Sequence, residues 1–91
     1  MSELLRILIV DDHPIVKKGL YFLLTAKRGM EIVGDADNGD DAVLMAHRLK
    51  PDIILMDLIM PKKNGLEATR EIIAKDPETK ILILTSFVEE E

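Results

Sequence analysis

Residues 53–61 read IILMDLIMP: one aspartate, Asp57, in an otherwise apolar run. Carboxylates are almost never fully buried unless paired. An ionised one left in a dry interior costs several kcal/mol as an order of magnitude. The conflict eases if the run is a strand in the middle of a sheet and Asp57 stands where that strand ends. There the carboxylate need not be buried deeply, and its charge can be shared with neighbours at the same rim.

Three further apolar runs extend the pattern, at residues 7–10, 32–34 and 81–84. With 53–56, three of the four are continuous rather than alternating. Continuous β-branched and leucine runs suit strands covered on both faces, as in a parallel sheet. The run at 32–34 is shorter and flanked by Glu31, Asp35 and Asp37, which predicts a half-exposed edge strand.

Between the runs lie three patterns at helical spacing. In the first, Ile15, Val16, Gly19, Leu20, Leu23 and Leu24 share a face. Pro14 suits its first turn, Lys27-Arg28 its last and Gly29 its exit. In the second, Ala42, Val43, Ala46 and Leu49 form the stripe, Asn38 or Asp40 caps it, and Pro51 stops it. In the third, the stripe is Leu66, Thr69, Ile72 and Ile73, opened by Asn64-Gly65 and closed by Asp76-Pro77. Strands alternating with helices through short loops predict right-handed βαβ units around one parallel sheet. The expected fold class is α/β, a flavodoxin-like doubly wound sheet in the order 2-1-3-4, which puts the polar second strand at an edge.

Composition narrows the function classes. The chain has 91 residues, enough for one domain, with 47% apolar and 32% charged residues, so it can build a core. Its net charge of −5 argues against a nucleic-acid or anionic-membrane surface within these residues. There is no cysteine, hence no disulfide and no Cys-ligated zinc. The opening MSELLRILIVDD lacks the basic and then long apolar regions of a secretory signal. No apolar run approaches the ~20 residues of a membrane-spanning helix. These features fit a cytoplasmic protein.

The chemistry lies in the strand ends. Asp11 and Asp12 follow the first strand, Asp57 the third, and Thr85-Ser86 the fourth. All fall on the carboxyl rim, and in a 2-1-3-4 order the reversal between the first and third strands brings Asp11 and Asp12 beside Asp57. Converging carboxylates repel, so either protons are taken up or a cation joins them. Carboxylates with no His or Cys expected nearby favour a hard cation, and few protein ligands on an open rim favour Mg2+, which keeps several waters and likes phosphate oxygens. The Ile59 backbone carbonyl would add a neutral ligand. A carboxylate beside Mg2+ and a strand-end hydroxyl suggests phosphoryl chemistry with the carboxylate as nucleophile. The acidic pair could also simply cap the first helix. His13 is expected to point to the loop side and His47 to solvent. Lys17-Lys18 and Lys62-Lys63 read as solvated faces, the second pair flanking the crevice where it could steer anionic phosphodonors.

These residues resemble a family. Asp11-Asp12, Asp57 within MDLIMPKKNG, and Thr85-Ser86 after ILIL are similar to the receiver (CheY-like) domain of bacterial two-component response regulators. DDHP and LTSFVEEE resemble the NarL/FixJ type, in the branch that includes LiaR and VraR. The resemblance implies that Asp57 accepts a phosphoryl group from a sensor histidine kinase. It implies Mg2+ held by Asp12, Asp57 and the Ile59 carbonyl, with Asp11 acting partly through water, and Thr85 as switch hydroxyl. Pro61 and Gly65 would shape the intervening loop. Such a module switches a surface for a partner and turns over no external metabolite, so it is not an enzyme in that sense.

A complete receiver continues through a further helix, a strand ending in lysine, and a last helix, and NarL/FixJ regulators then add a DNA-binding helix-turn-helix. Residues 1–91 are therefore expected to form the amino-terminal part of a receiver, binding DNA only through an output domain outside them. The fourth strand is then expected to leave an open apolar edge that favours self-association or completion by another chain. Two competing readings are an inert structural half-fold and a Mg2+-dependent aspartyl-phosphate phosphohydrolase. The hydrolase usually carries a second acid two residues after its nucleophile, where this chain has Ile59. Flavin binding fits poorly, because VDDHP would repel a phosphate.

Overall fold

The computed structural model describes residues 4–60 and 62–84. Its elements are β1 (Leu5–Val10), α1 (Pro14–Thr25), β2 (Met30–Ala36), α2 (Gly39–Leu49), β3 (Ile53–Asp57), α3 (Gly65–Lys75) and β4 (Lys80–Leu84). The strands form one parallel sheet in the order β2-β1-β3-β4, as the alternation predicts. The polar second strand is at one edge. Pairings of Val10 with Met56 and of Val10 with Ala36 align the carboxyl ends of three strands.

Helices α2 and α3 share one face of the sheet. There Leu8, Val10, Ile54 and Met56 pack against Ala42, Ala46, Ala68 and Ile72. The opposite face holds Ile7, Ile9 and Leu55 under Leu20, Tyr21 and Leu24 of α1.

Local signals place the helix ends. Pro14 opens α1, where its fixed φ suits the first turn and its missing N–H leaves nothing unmet. The cap of α2 is Asn38, not Asp40: its side chain accepts a 2.9 Å bond from the Asp41 N–H. Asn64 caps α3 in the same way through the Glu67 N–H at 2.9 Å. Gly29 turns the chain into β2 at φ 85, a left-handed angle that glycine adopts freely.

Three details depart from the sequence expectation. Helix α1 ends at Thr25, so Lys27 and Arg28 lie beyond it rather than in its last turn. Its sheet-facing side is Leu20, Tyr21 and Leu24, while Ile15, Val16 and Leu23 are exposed. In α3 the buried stripe is Gly65, Ala68 and Ile72, whereas Leu66 and Ile73 are exposed. Small residues let α3 approach α2 and the sheet closely, and that approach turns the larger side chains outward.

Candidate functional site

The carboxyl rim brings three of the expected acids together. Asp11 and Asp12 follow β1 directly and Asp57 is the last residue of β3, adjacent strands in the sheet. Ligand atoms from Asp11, Asp12, His13 and Asp57 all lie within 4.8 Å of one another. The reversal of strand order sets this convergence.

Asp57 is only 1% exposed, which corrects the expectation of shallow burial at the strand end. Its carboxylate stands among Asp11, Asp12 and His13, and the start of α3 covers the backbone beside it. A Cβ on Gly65 would sit 2.8 Å from the Leu58 Cα, so the helix comes down onto the backbone after Asp57. The Gly65 N–H donates to the Leu58 carbonyl at 2.9 Å. The Ile59 N–H reaches toward Asp57 Oδ1 at 3.4 Å. Asp11 is buried as well.

His13 is the residue that sequence reasoning turned the wrong way. Its Nδ1 lies 2.7 Å from Asp11 Oδ1, 3.3 Å from Asp12 Oδ1 and 3.9 Å from Asp57 Oδ2. The hydrogen bond to Asp11 does most to push its imidazole above the ordinary value, and the Asp11, Asp12 and Asp57 charges add to it. The turn explains the orientation. Asp11 Oδ1 accepts the His13 backbone N–H at 2.8 Å, which folds residue 13 back over the rim. His13 itself stands at the α1 cap position and makes no side-chain cap, so the acidic pair serves the rim rather than that helix end. His47 is exposed, as expected.

Two lysines expected in solvated faces are tied down. Lys17 pairs with Asp35 at 3.1 Å and with Asp37. Lys63 pairs with Glu71 and lies 3.8 Å from Asp40, so it spans α3 and α2. The Glu71 hydrogen bond raises the Lys63 ammonium above its ordinary value. Thr85, Ser86 and Pro61 lie outside the described residues.

Contrary to the sequence expectation, the rim is not free of histidine, since His13 joins the acids; the oxygen donors still suit a hard divalent cation. Three carboxylates supply oxygens in a compact, largely buried group, and Asp12 Oδ1 is buried with no hydrogen bond among the described residues.

The profile of the response regulator receiver domain matches residues 7–91. The chain belongs to the response regulator receiver family. The receiver is 45% identical over 86 residues to the response regulator protein VraR of Staphylococcus epidermidis, covering 94% of this chain and 41% of that protein. It thus spans about two fifths of that relative's length. Among solved structures it superposes on the response regulator domain of Thermotoga maritima CheB with a TM-score of 0.89 and 39% identity, covering 97% of this chain and 65% of that one. A chain of the CheX–CheY–BeF3–Mg2+ complex from Borrelia burgdorferi matches with a TM-score of 0.82 and 29% identity, covering 93% and 64%. The CheY-like fold and the VraR-type kinship thus agree with the resemblance read from DDHP and MDLIMP. No helix among the described residues is long and apolar enough to cross a membrane.

Proposed function

We propose that this receiver is the phosphoacceptor module of a two-component regulator, loaded on Asp57 by a sensor histidine kinase. The observation that carries the reading is the convergence of Asp11, Asp12 and Asp57 at the order-reversal point of a receiver sheet. An Asp57 carboxylate oxygen attacks the phosphorus of a phosphohistidine. A P–O bond forms, the P–N bond breaks, and the imidazole leaves with the electron pair and takes up a proton. The carboxylate is held by its strand end and the Ile59 N–H.

Asp11, Asp12, Asp57 and the Ile59 carbonyl are the residues that would hold Mg2+, which would neutralise charge on the transferring group. The Borrelia burgdorferi complex, which contains Mg2+ and BeF3, supports that assignment by likeness. Thr85 is the proposed switch hydroxyl. The VraR kinship supports a cytoplasmic, DNA-binding transcription regulator as the whole protein, with DNA contacted outside this domain.

The test is direct. Incubation with Mg2+ and acetyl phosphate should add one phosphoryl group to the intact mass, and Asp57→Asn should abolish the gain. A folded chain that gains nothing favours the inert half-fold. Sustained phosphate release from many donors favours the hydrolase.

Self-association belongs to the same reading. Strand β4 pairs only with β3 among the described residues, and Leu82 and Ile83 are exposed on it. Unpaired apolar edges template further pairing. Sedimentation of the 91-residue chain should show concentration-dependent association, and a monodisperse monomer would sink the idea.

A further inference from the structure

The loop that carries Ile59 runs between two glycines on different helices. At one end Gly65 lets α3 rest on the backbone after Asp57. The second glycine is Gly39, the first residue of α2 and distant in sequence from the loop. A Cβ built on it would stand 2.6 Å from the carbonyl carbon of Lys63 and 2.7 Å from its Cβ, closer than real Cβ atoms come to such neighbours. Gly39 is not in the left-handed φ region, so its backbone angles would accept alanine. Space alone demands glycine there: the loop backbone lies against the first turn of α2.

The same stretch is tied from the loop side. Lys62 holds φ 63, a left-handed angle that a residue with a Cβ keeps only where its surroundings fix it. Next to it, Lys63 reaches across to Asp40 of α2 and Glu71 of α3. Met60 is buried in the core on the α2–α3 face. The described residues of this loop are therefore tied at Leu58, Met60 and Lys63, and the exposed Ile59 lies between the first two.

From this we infer that Gly39 is a positioning residue for the cation site. Gly39, the residue without a side chain at the start of α2, is the seat on which the Lys63 backbone rests, and that seat fixes where the Ile59 carbonyl meets the cation. Gly39 touches no ligand itself and acts through the loop backbone. The inference rests on the Mg2+ reading above and adds a residue from another element to it. Groups that orient metal ligands commonly matter about 10-fold or more in metal affinity.

The experiment compares two glycine substitutions in the 91-residue chain, with Mg2+ alone as the probe. Gly39→Ala meets loop backbone, which cannot swing aside. Gly34→Ala in β2 meets the ends of flexible side chains, Met45 Cε at 2.8 Å and Leu49 Cδ1 at 3.1 Å, and is remote from the loop contacts named above. Both cost stability, so a purely structural role predicts equal behaviour once each variant is folded. Mg2+ affinity is read by calorimetry and by amide NMR shifts of Asp57 and Ile59, at a temperature where circular dichroism shows native helix content. Gly39→Ala should weaken Mg2+ binding about 10-fold and displace the shifts of residues 58–64 even without metal, while Gly34→Ala should keep wild-type affinity.

If Gly39→Ala does not fold, Lys62→Val disturbs the loop next to the seated Lys63 from an exposed position, by placing a β-branched residue at φ 63. It should show the same loss, and wild-type affinity there overturns the inference. Equal losses in Gly39→Ala and Gly34→Ala, or wild-type affinity in a folded Gly39→Ala, also overturn it. If the unsubstituted chain binds no Mg2+, the metal reading falls and takes the inference with it.

Discussion

The two faces of the sheet are built differently. On the α2–α3 face, ten buried residues among those described form one cluster, and four of them are alanines. On the α1 face only Ile7, Ile9 and Leu55 are buried among the described residues, and α1 contributes no buried residue at all. The α1 helix is nevertheless the more apolar of the three by sequence, with Ile15 82% and Phe22 76% exposed. Large apolar residues do not by themselves make a tight face. Small residues do, because they allow backbones to approach, and the same closeness grips the loop after Asp57.

The contrast is sharpest under matched truncation. Ile72→Ala on the closed face removes a side chain 2% exposed and leaves a cavity between α3 and the sheet. It should cost about 2–5 kcal/mol, enough to threaten folding of a marginal domain. Leu23→Ala on the open face removes a side chain 59% exposed and should cost less than about 0.5 kcal/mol. Urea unfolding of both variants measures the difference. Comparable losses would mean that α1 is covered in solution by something the described residues do not include.

How much of this was legible follows from what each signal encodes. Strand order and the meeting of Asp11 and Asp12 with Asp57 were readable, because continuous apolar runs and short connections leave few topologies. The Asn64 cap was readable from residue type, and the α2 cap only as far as Asn38 or Asp40. The buried faces of α1 and α3 were not. Helical periodicity reports an apolar stripe, but which side meets the sheet depends on close approach, and Ala68 decides that more than Leu66 or Ile73. The burial of Asp57 escaped for a related reason: its carboxylate meets Asp11, Asp12 and His13 from another strand end, and α3 closes on its backbone at Gly65, neither of which the strand's own pattern encodes. His13 was misplaced because the Asp11 turn that folds it back is a backbone event with no periodic signature. Gly39 gave no warning, since its partner Lys63 is remote in sequence.

With so little buried apolar surface, α1 is held to β2 by polar contacts, and these give the smaller test of the comparison. The Tyr21 hydroxyl donates to Asp35 at 2.7 Å, and Lys17 bridges Asp35 and Asp37. Burial, then the bond to Asp35, pushes the Tyr21 phenol up to about 12. Burial would raise the Asp35 carboxyl, but the bonds from Tyr21 and Lys17 outweigh it and hold it below the usual range. The signs of the two linkages follow from these directions. Tyr21 contributes stability that is fully present below its unfolded value of about 10 and is lost as pH rises toward about 12. Asp35 contributes stability that is present above the ordinary carboxylate range and is lost as pH falls through its lowered value. Tyr21→Phe should therefore cost about 1 kcal/mol near neutrality, the net worth of one hydrogen bond. The gap to wild type should close as pH rises between about 10 and about 12, where the wild-type phenol ionises and its bond to Asp35 is lost. Urea melts of both proteins across that window measure it. A gap that stays constant through the window would show that Tyr21 holds α1 by its ring alone, and the open face would then be apolar in its energetics after all.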